Sequence, residues 1–305
     1  MKILILVGFA LTLISCASVS KKGPSPYSAS WNGEAVTPAD SKACPADQGY
    51  TKMKWKDLVT LAGQCVRAKN FFQVERVASH LARIEPESHW GSYFLALAAE
   101  SRKDYPRAFW MIELGLKKAP QDGILLFERA RLNWETDHKG LAVNDLKEAV
   151  KRNPSITEAH LLLGQIQFTE DDLSRAQSSF AQVLSKDPKR AEALLGMGEV
   201  AFRQKNYDEA YEYHKKAAQV NPRSALSFLR MAQIQEIHMK DLAGSLASYK
   251  DLQRRVSLNR VDGDIPVDLN DKIQNLTLMV KQQTAQKRES EKVSKREPSS
   301  KKVSK

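Results

Sequence analysis

Residues 191–222, AEALLGMGEVAFRQKNYDEAYEYHKKAAQVNP, close on the last of five prolines, Pro86, Pro120, Pro154, Pro188 and Pro222, each 34 residues after the one before. An unbroken period of that length means one folding unit repeated in tandem. Laying the intervals over one another shows the unit. Twelve residues before each proline stands Val74, Ala108, Ala142, Ala176 or Ala210, and just before four of these lie the turns Lys69-Asn70-Phe71, Lys103-Asp104-Tyr105, Asp171-Asp172-Leu173 and Lys205-Asn206-Tyr207. Ahead of the turns run apolar-periodic segments containing Leu61-Ala62, Leu95-Ala96, Leu163-Gly164 or Met197-Gly198, where a large residue followed by a small one lets a second helix approach closely. Two helices and two turns fill the period, and the proline closes it because it disfavours helix in the residue before it.

This unit resembles the tetratricopeptide repeat, whose signature is a Leu-Gly pair, an Ala in the second helix and a closing Pro over 34 residues. The resemblance implies an all-α protein, a right-handed α-solenoid of about six helix-turn-helix repeats over residues 53–257, with a C-terminal capping helix. The sixth copy runs from Ala225 to Ser257 with Met231-Ala232, the turn Lys240-Asp241-Leu242, and Ser245 in the small column; it carries one extra turn residue and no closing proline. The departures are two aromatic columns of the family, which here read Leu58, Ser92, Leu126, His160, Leu194, Phe228 and Cys65, Ala99, Asn133, Gln167, Ala201, Gln235. The third repeat has Lys139 where its turn should be apolar, so the pattern fixes its geometry least.

The chain of 305 residues carries a net charge of +11, but nine Lys or Arg against three Glu fall between 281 and 305. Basicity is therefore mainly a property of the tail, which argues against a nucleic-acid-binding body. Residues 1–15 hold Lys2 and then an apolar run from Ile3 to Ile14, the anatomy of a secretory signal and too short to span a membrane. Leu13-Ile14-Ser15-Cys16 resembles the bacterial lipobox, which implies lipidation of Cys16 and removal of the peptide before it; Ala17 after the Cys resembles the outer-membrane sorting form. Residues 16–52 read as a lipidated tether rich in Ser, Pro, Gly and Ala. With Cys16 acylated, Cys44 and Cys65 are the remaining thiols in an oxidising compartment, so they either pair or stay reduced with Cys65 buried in the first helix.

After the sixth repeat, residues 258–284 contain the turn Val261-Asp262-Gly263-Asp264-Ile265-Pro266, whose carboxylates lack calcium-loop spacing, and a helix with Leu269, Ile273, Leu276 and Val280 on one stripe. Such a helix would cover the flank of the last repeat. Residues 285–305 are expected to be a disordered basic tail with weak affinity for anionic surfaces.

No Gly-rich phosphate loop, His-Glu-x-x-His, Cys-x-x-Cys or Gly-x-Ser-x-Gly is present, and the six histidines lack metal-ligand spacing. No enzyme activity, cofactor or metal is expected. In solenoids of the resembled kind the first helices line the concave face, which places Trp90, Tyr93, Phe127, Arg131, Trp134, Phe168, Phe202 and Arg203 there. One reading makes this stripe a groove for a protein or peptide partner, and the other makes it packing between helices. In layout the chain resembles the pilotin lipoproteins that escort type IV pilus secretins. That resemblance implies a lipid-anchored, periplasm-facing scaffold at the bacterial outer membrane, the alternative being an adaptor for murein synthases or hydrolases.

Overall fold

The computed structural model describes Cys44 and residues 49–296. The expected signal peptide, Cys16, most of the tether and the last residues of the tail lie outside the described residues. Helices arranged in antiparallel pairs fill the rest: α1 (Trp55–Arg67) and α2 (Phe71–Ile84), α3 (Trp90–Ser101) and α4 (Tyr105–Lys118), α5 (Gly123–Glu135) and α6 (Lys139–Arg152), α7 (Thr157–Thr169) and α8 (Leu173–Lys186), α9 (Ala191–Arg203) and α10 (Tyr207–Val220), α11 (Ala225–Ile237) and α12 (Leu242–Ser257). A single long helix, α13 (Leu269–Arg296), follows. Among the described residues there is no β-strand, only an isolated bridge between Ser224 and Asp262.

The repeat is written into the backbone at its turns. Lys69, Lys103, Asp137, Asp171, Lys205 and Lys240 all have positive φ, between 55° and 67°, one in each turn from first to second helix. At each of the first five the following residue donates its N–H to the carbonyl five residues back, as Asn70 does to Cys65 and Asn206 to Ala201, which closes the helix in a Schellman turn. The residue after the left-handed one then starts the next helix: the Asn70, Asp104, Asp172 and Asp241 side chains accept from the backbone N–H of Gln73, Arg107, Arg175 and Gly244. His138 makes no such bond, yet α6 keeps its phase with Lys139 in the usually apolar turn position. The Asp137 turn and its Schellman bond are formed as in the other repeats.

Within each pair the small column packs at the helix crossing, with Val74, Ala108, Ala142, Ala176, Ala210 and Ser245 fully buried. Larger residues are fitted by glycine across from them. Phe180 sits between Gly164 and Gly196, where an added Cβ would lie 2.9 Å and 2.5 Å from its ring. The second departing column is satisfied internally: Asn133 donates to Asp145 at 3.2 Å, Ser179 donates to Gln167 at 2.7 Å, and the Ser248 hydroxyl lies 2.7 Å from the Gln235 amide. Where that column is apolar, at Cys65, Ala99 and Ala201, the facing position on the second helix is Val77, Met111 or Tyr213.

The two ends are closed differently. At the first, Cys44 is bonded to Cys65 of α1 with Cα atoms 4.8 Å apart, and Tyr50 meets the His80 ring edge-on at 5.7 Å beneath the Arg76 guanidinium. At the other end Leu269, Ile273 and Leu276 of α13 are buried against Phe228, Tyr249 and Leu252. This helix covers the last repeat and does not fill the concave face. It also corrects the expectation of disorder from residue 285, because it continues as helix to Arg296. The reason is compositional: from Lys281 to Arg296 there is no Gly or Pro, and Gln, Lys, Arg, Glu and Ala are good helix formers.

Candidate partner-binding groove

Successive first helices touch one another directly, α1 with α3 and α7 with α9, so they line the inner curve and the second helices the outer one. The residues singled out from sequence divide there into two sets. Tyr93, Phe127 and Arg131 are 3%, 7% and 4% exposed, so they are packing residues and do not offer themselves to a partner as expected. Arg131 is spent inside the protein. Its Nε and Nη2 donate to Glu128 Oε2 at 2.9 and 2.6 Å, and both terminal nitrogens donate to the Glu100 carboxylate of the preceding repeat. Burial pushes the Glu128 carboxyl up, against the pull of the adjacent Arg131 cation, and burial followed by Glu128 raises the Tyr93 phenol.

The second set is partly open. Trp90 is half-buried at the start of α3, stacked on Phe94 at 6.0 Å and edge-on to Tyr93 at 5.6 Å. Trp134, Phe168 and Phe202 are half-buried at equivalent positions near the ends of α5, α7 and α9, and each ring carries a cation. Lys139 lies 5.8 Å from the Trp134 ring centre, Arg203 5.3 Å from Phe168, and Arg230 4.7 Å from Phe202. Arg203 is exposed and paired with Asp171 at 3.0 Å, while Arg230 donates to both Glu199 oxygens at 2.6 and 2.8 Å. The row is thus apolar rings bordered by fixed, compensated charge.

Two further aromatic groups extend this row. The Tyr207 and His238 rings stack with centroids 3.4 Å apart, and both stand edge-on to Phe202 at 5.7 and 6.2 Å. They line an open pocket of about 520 Å³ with Lys205, Asn206, Asp208, Glu209 and Met239. Neither belongs to a first-helix column, so the periodicity gave no signal for the stack. Farther along α10, His214 is fully buried, 3.4 Å from Glu199 and without a hydrogen-bond partner at either ring nitrogen. Burial brings its pKa down to about 4, despite Glu199. Among the described residues no cluster of His, Cys, Asp or Glu could hold a metal ion, and no helix is long and apolar enough to cross a membrane.

Comparisons with known proteins agree with this architecture. Two tetratricopeptide-repeat models match residues 127–176 and 167–226. No curated protein sequence matches the chain. Among solved structures, Pseudomonas aeruginosa PilF is 16% identical with a TM-score of 0.61, covering 79% of this chain and 99% of its own. PilW, described as a widely conserved type IV pilus biogenesis factor, is 13% identical with a TM-score of 0.57, covering 73% and 98%. MamA is 17% identical with a TM-score of 0.51, covering 54% and 96%. Residues 127–226 therefore carry tetratricopeptide repeats, and the chain folds as an α-solenoid similar to those of PilF and PilW.

Proposed function

We propose that the protein is a membrane-anchored adaptor that holds another protein or peptide along the inner face of its solenoid, without catalytic activity of its own. Repeats of this type serve as protein-binding scaffolds, and the observation that carries the reading here is the half-exposed row Trp134, Phe168 and Phe202. Anchoring rests on the lipobox-like Leu13-Ile14-Ser15-Cys16, with Cys16 as the acylated residue at the outer membrane and the solenoid facing the periplasm. The likeness to PilW motivates the finer assignment, assistance in assembling an outer-membrane complex such as a type IV pilus secretin.

Crosslinking in cells followed by capture of the lipidated protein tests this. A secretin subunit among the captured proteins supports the assignment, and murein synthases or hydrolases in its place replace it. Trp134→Ala should weaken the captured interaction by about 2 kcal/mol, roughly 30-fold, while leaving the melting temperature within a few degrees. Loss of melting temperature with normal binding by the folded fraction would assign the row to packing.

A further inference from the structure

The outer face also repeats every 34 residues, and its columns change character halfway along the array. On the second helices of the first three repeats, four outward columns read Phe72, Pro106, Gly140; Arg76, Trp110, Asn144; Ser79, Glu113, Lys147; and Arg83, Lys117, Lys151. The same columns on α8 and α10 read Ser174, Asp208; Ser178, Glu212; Ala181, Lys215; and Ser185, Gln219. In these columns the first half holds five cations and a single carboxylate, Glu113, which is paired with Arg129 at 2.9 Å; of the cations, Arg76 lies over the Tyr50 and Phe72 rings and Lys151 is 3.7 Å from Glu148. The other half is polar and close to neutral.

Within the basic half stand the two most exposed aromatic side chains among the described residues, Phe72 at 72% and Trp110 at 62%. Most of each ring faces solvent, the Phe72 ring meeting the Arg76 guanidinium at 5.9 Å. Such rings are costly to leave in water, since a Trp or Phe carries about 150–250 Å² of mostly apolar surface. Aromatic rings among Lys and Arg on the outer curve of the solenoid fit a lipid headgroup layer. Indole and phenyl groups settle at the level of the headgroups, and the cations meet anionic phosphates.

We propose that the outer face of the first three repeats rests on an anionic phospholipid surface, with Phe72 and Trp110 inserted and Arg83, Lys117 and Lys151 on the phosphates. This contact is independent of the inner groove and orients that groove away from the bilayer.

The test uses the full chain carrying Cys16→Ser, so that acylation contributes nothing and all variants share one N-terminus. Flotation is measured with vesicles of phosphatidylethanolamine and phosphatidylglycerol, and with phosphatidylcholine alone. The Phe72→Ser/Trp110→Ser pair and the Arg83→Glu/Lys117→Glu pair should each lower partition onto the anionic vesicles by about tenfold or more, with the charge pair also losing most of the salt dependence. Brominated phosphatidylglycerol should quench a fluorescence component that is absent in Trp110→Tyr. Wild-type partition by both pairs, or no quenching of Trp110, overturns the proposal. So does a change from dimer to monomer in the Phe72→Ser/Trp110→Ser pair with vesicle binding intact, which would make the face a contact between copies. The charge pair replaces exposed residues only, so it decides the question even if the aromatic pair folds poorly.

Discussion

The two ends of the solenoid meet the same problem with opposite means. A repeat array leaves an apolar flank at each end, because every repeat is built to be covered by a neighbour. Among the described residues, the N-terminal flank is met by Tyr50, edge-on to His80, and by Cys44, which a covalent bond fastens to Cys65. The C-terminal flank is covered by α13, where Leu269, Ile273 and Leu276 bury enough apolar surface to hold a helix without a crosslink. A cap can thus be fastened through burial or through a constraint on the unfolded chain, and the two should fail under different conditions.

The largest effect is expected at the C-terminal cap. Leu276 is 2% exposed, so Leu276→Ala should cost about 2–5 kcal/mol and loosen α11 and α12 before the rest, visible as early hydrogen exchange in those helices. Reduction, or Cys65→Ser, opens a loop between residues separated by 21 and should cost about 3 kcal/mol, with the loss confined to α1 and α2. Equal loosening of both ends by either change would erase the distinction.

Acid should separate the ends further. The His214 pKa of about 4 in the folded protein lies below its ordinary value near 6.5, so the unfolded chain takes up the proton first. The stability this neutral, buried ring contributes is present above about pH 6.5 and is lost as pH falls toward 4, about 3 kcal/mol in all. His214 lies in α10 beside Arg230 of α11, so the C-terminal half should loosen in this window while the disulfide-held end persists. His214→Leu should make the pH profile of thermal unfolding shallower, leaving the contributions of His89 and His160, whose pKa values burial also lowers.

The smallest effect is a gain. Lys103 has φ 62°, which costs a side-chain-bearing residue energy that glycine avoids, so Lys103→Gly should raise stability by up to about 1 kcal/mol in chemical unfolding. The same change at Lys69 tests whether a gain in the first repeat is masked by the disulfide. If the two gains match, the staple and the turn act independently.

The helices were legible because the 34-residue period places prolines, turns and small residues in columns, and each column has one structural task. Helices α2, α4, α6, α8 and α10 all stop two residues before their proline. Depth on the inner face was not legible. The period assigns Phe127 and Trp134 alike to first helices, but their different burial depends on side chains from neighbouring repeats. Arg131 looks available in sequence and is neutralised by Glu100, 31 residues earlier, a partner only the superhelix brings near. The Tyr207–His238 stack joins a turn-column residue at the start of a second helix to the end of the following first helix, a pairing across columns that the period does not reveal. Beyond Gln283 the polarity of the chain speaks for exposure, and exposure alone does not distinguish a solvated helix from disorder.

The polar pairs Asn133–Asp145, Gln167–Ser179 and Gln235–Ser248 have a consequence for folding. Similar repeats in tandem risk exchanging helices, since the first helix of one unit offers the second helix of another much the same apolar surface. If α7 paired with α10, Gln167 would be buried opposite Tyr213, and if α5 paired with α4, Asn133 would face Met111. Each mismatch strands a buried amide at about 1–3 kcal/mol. Polar pairs in the third, fourth and sixth repeats, set among apolar ones in the first, second and fifth, thus act as addresses that disfavour exchange between the two kinds of repeat while the chain is still finding its neighbours.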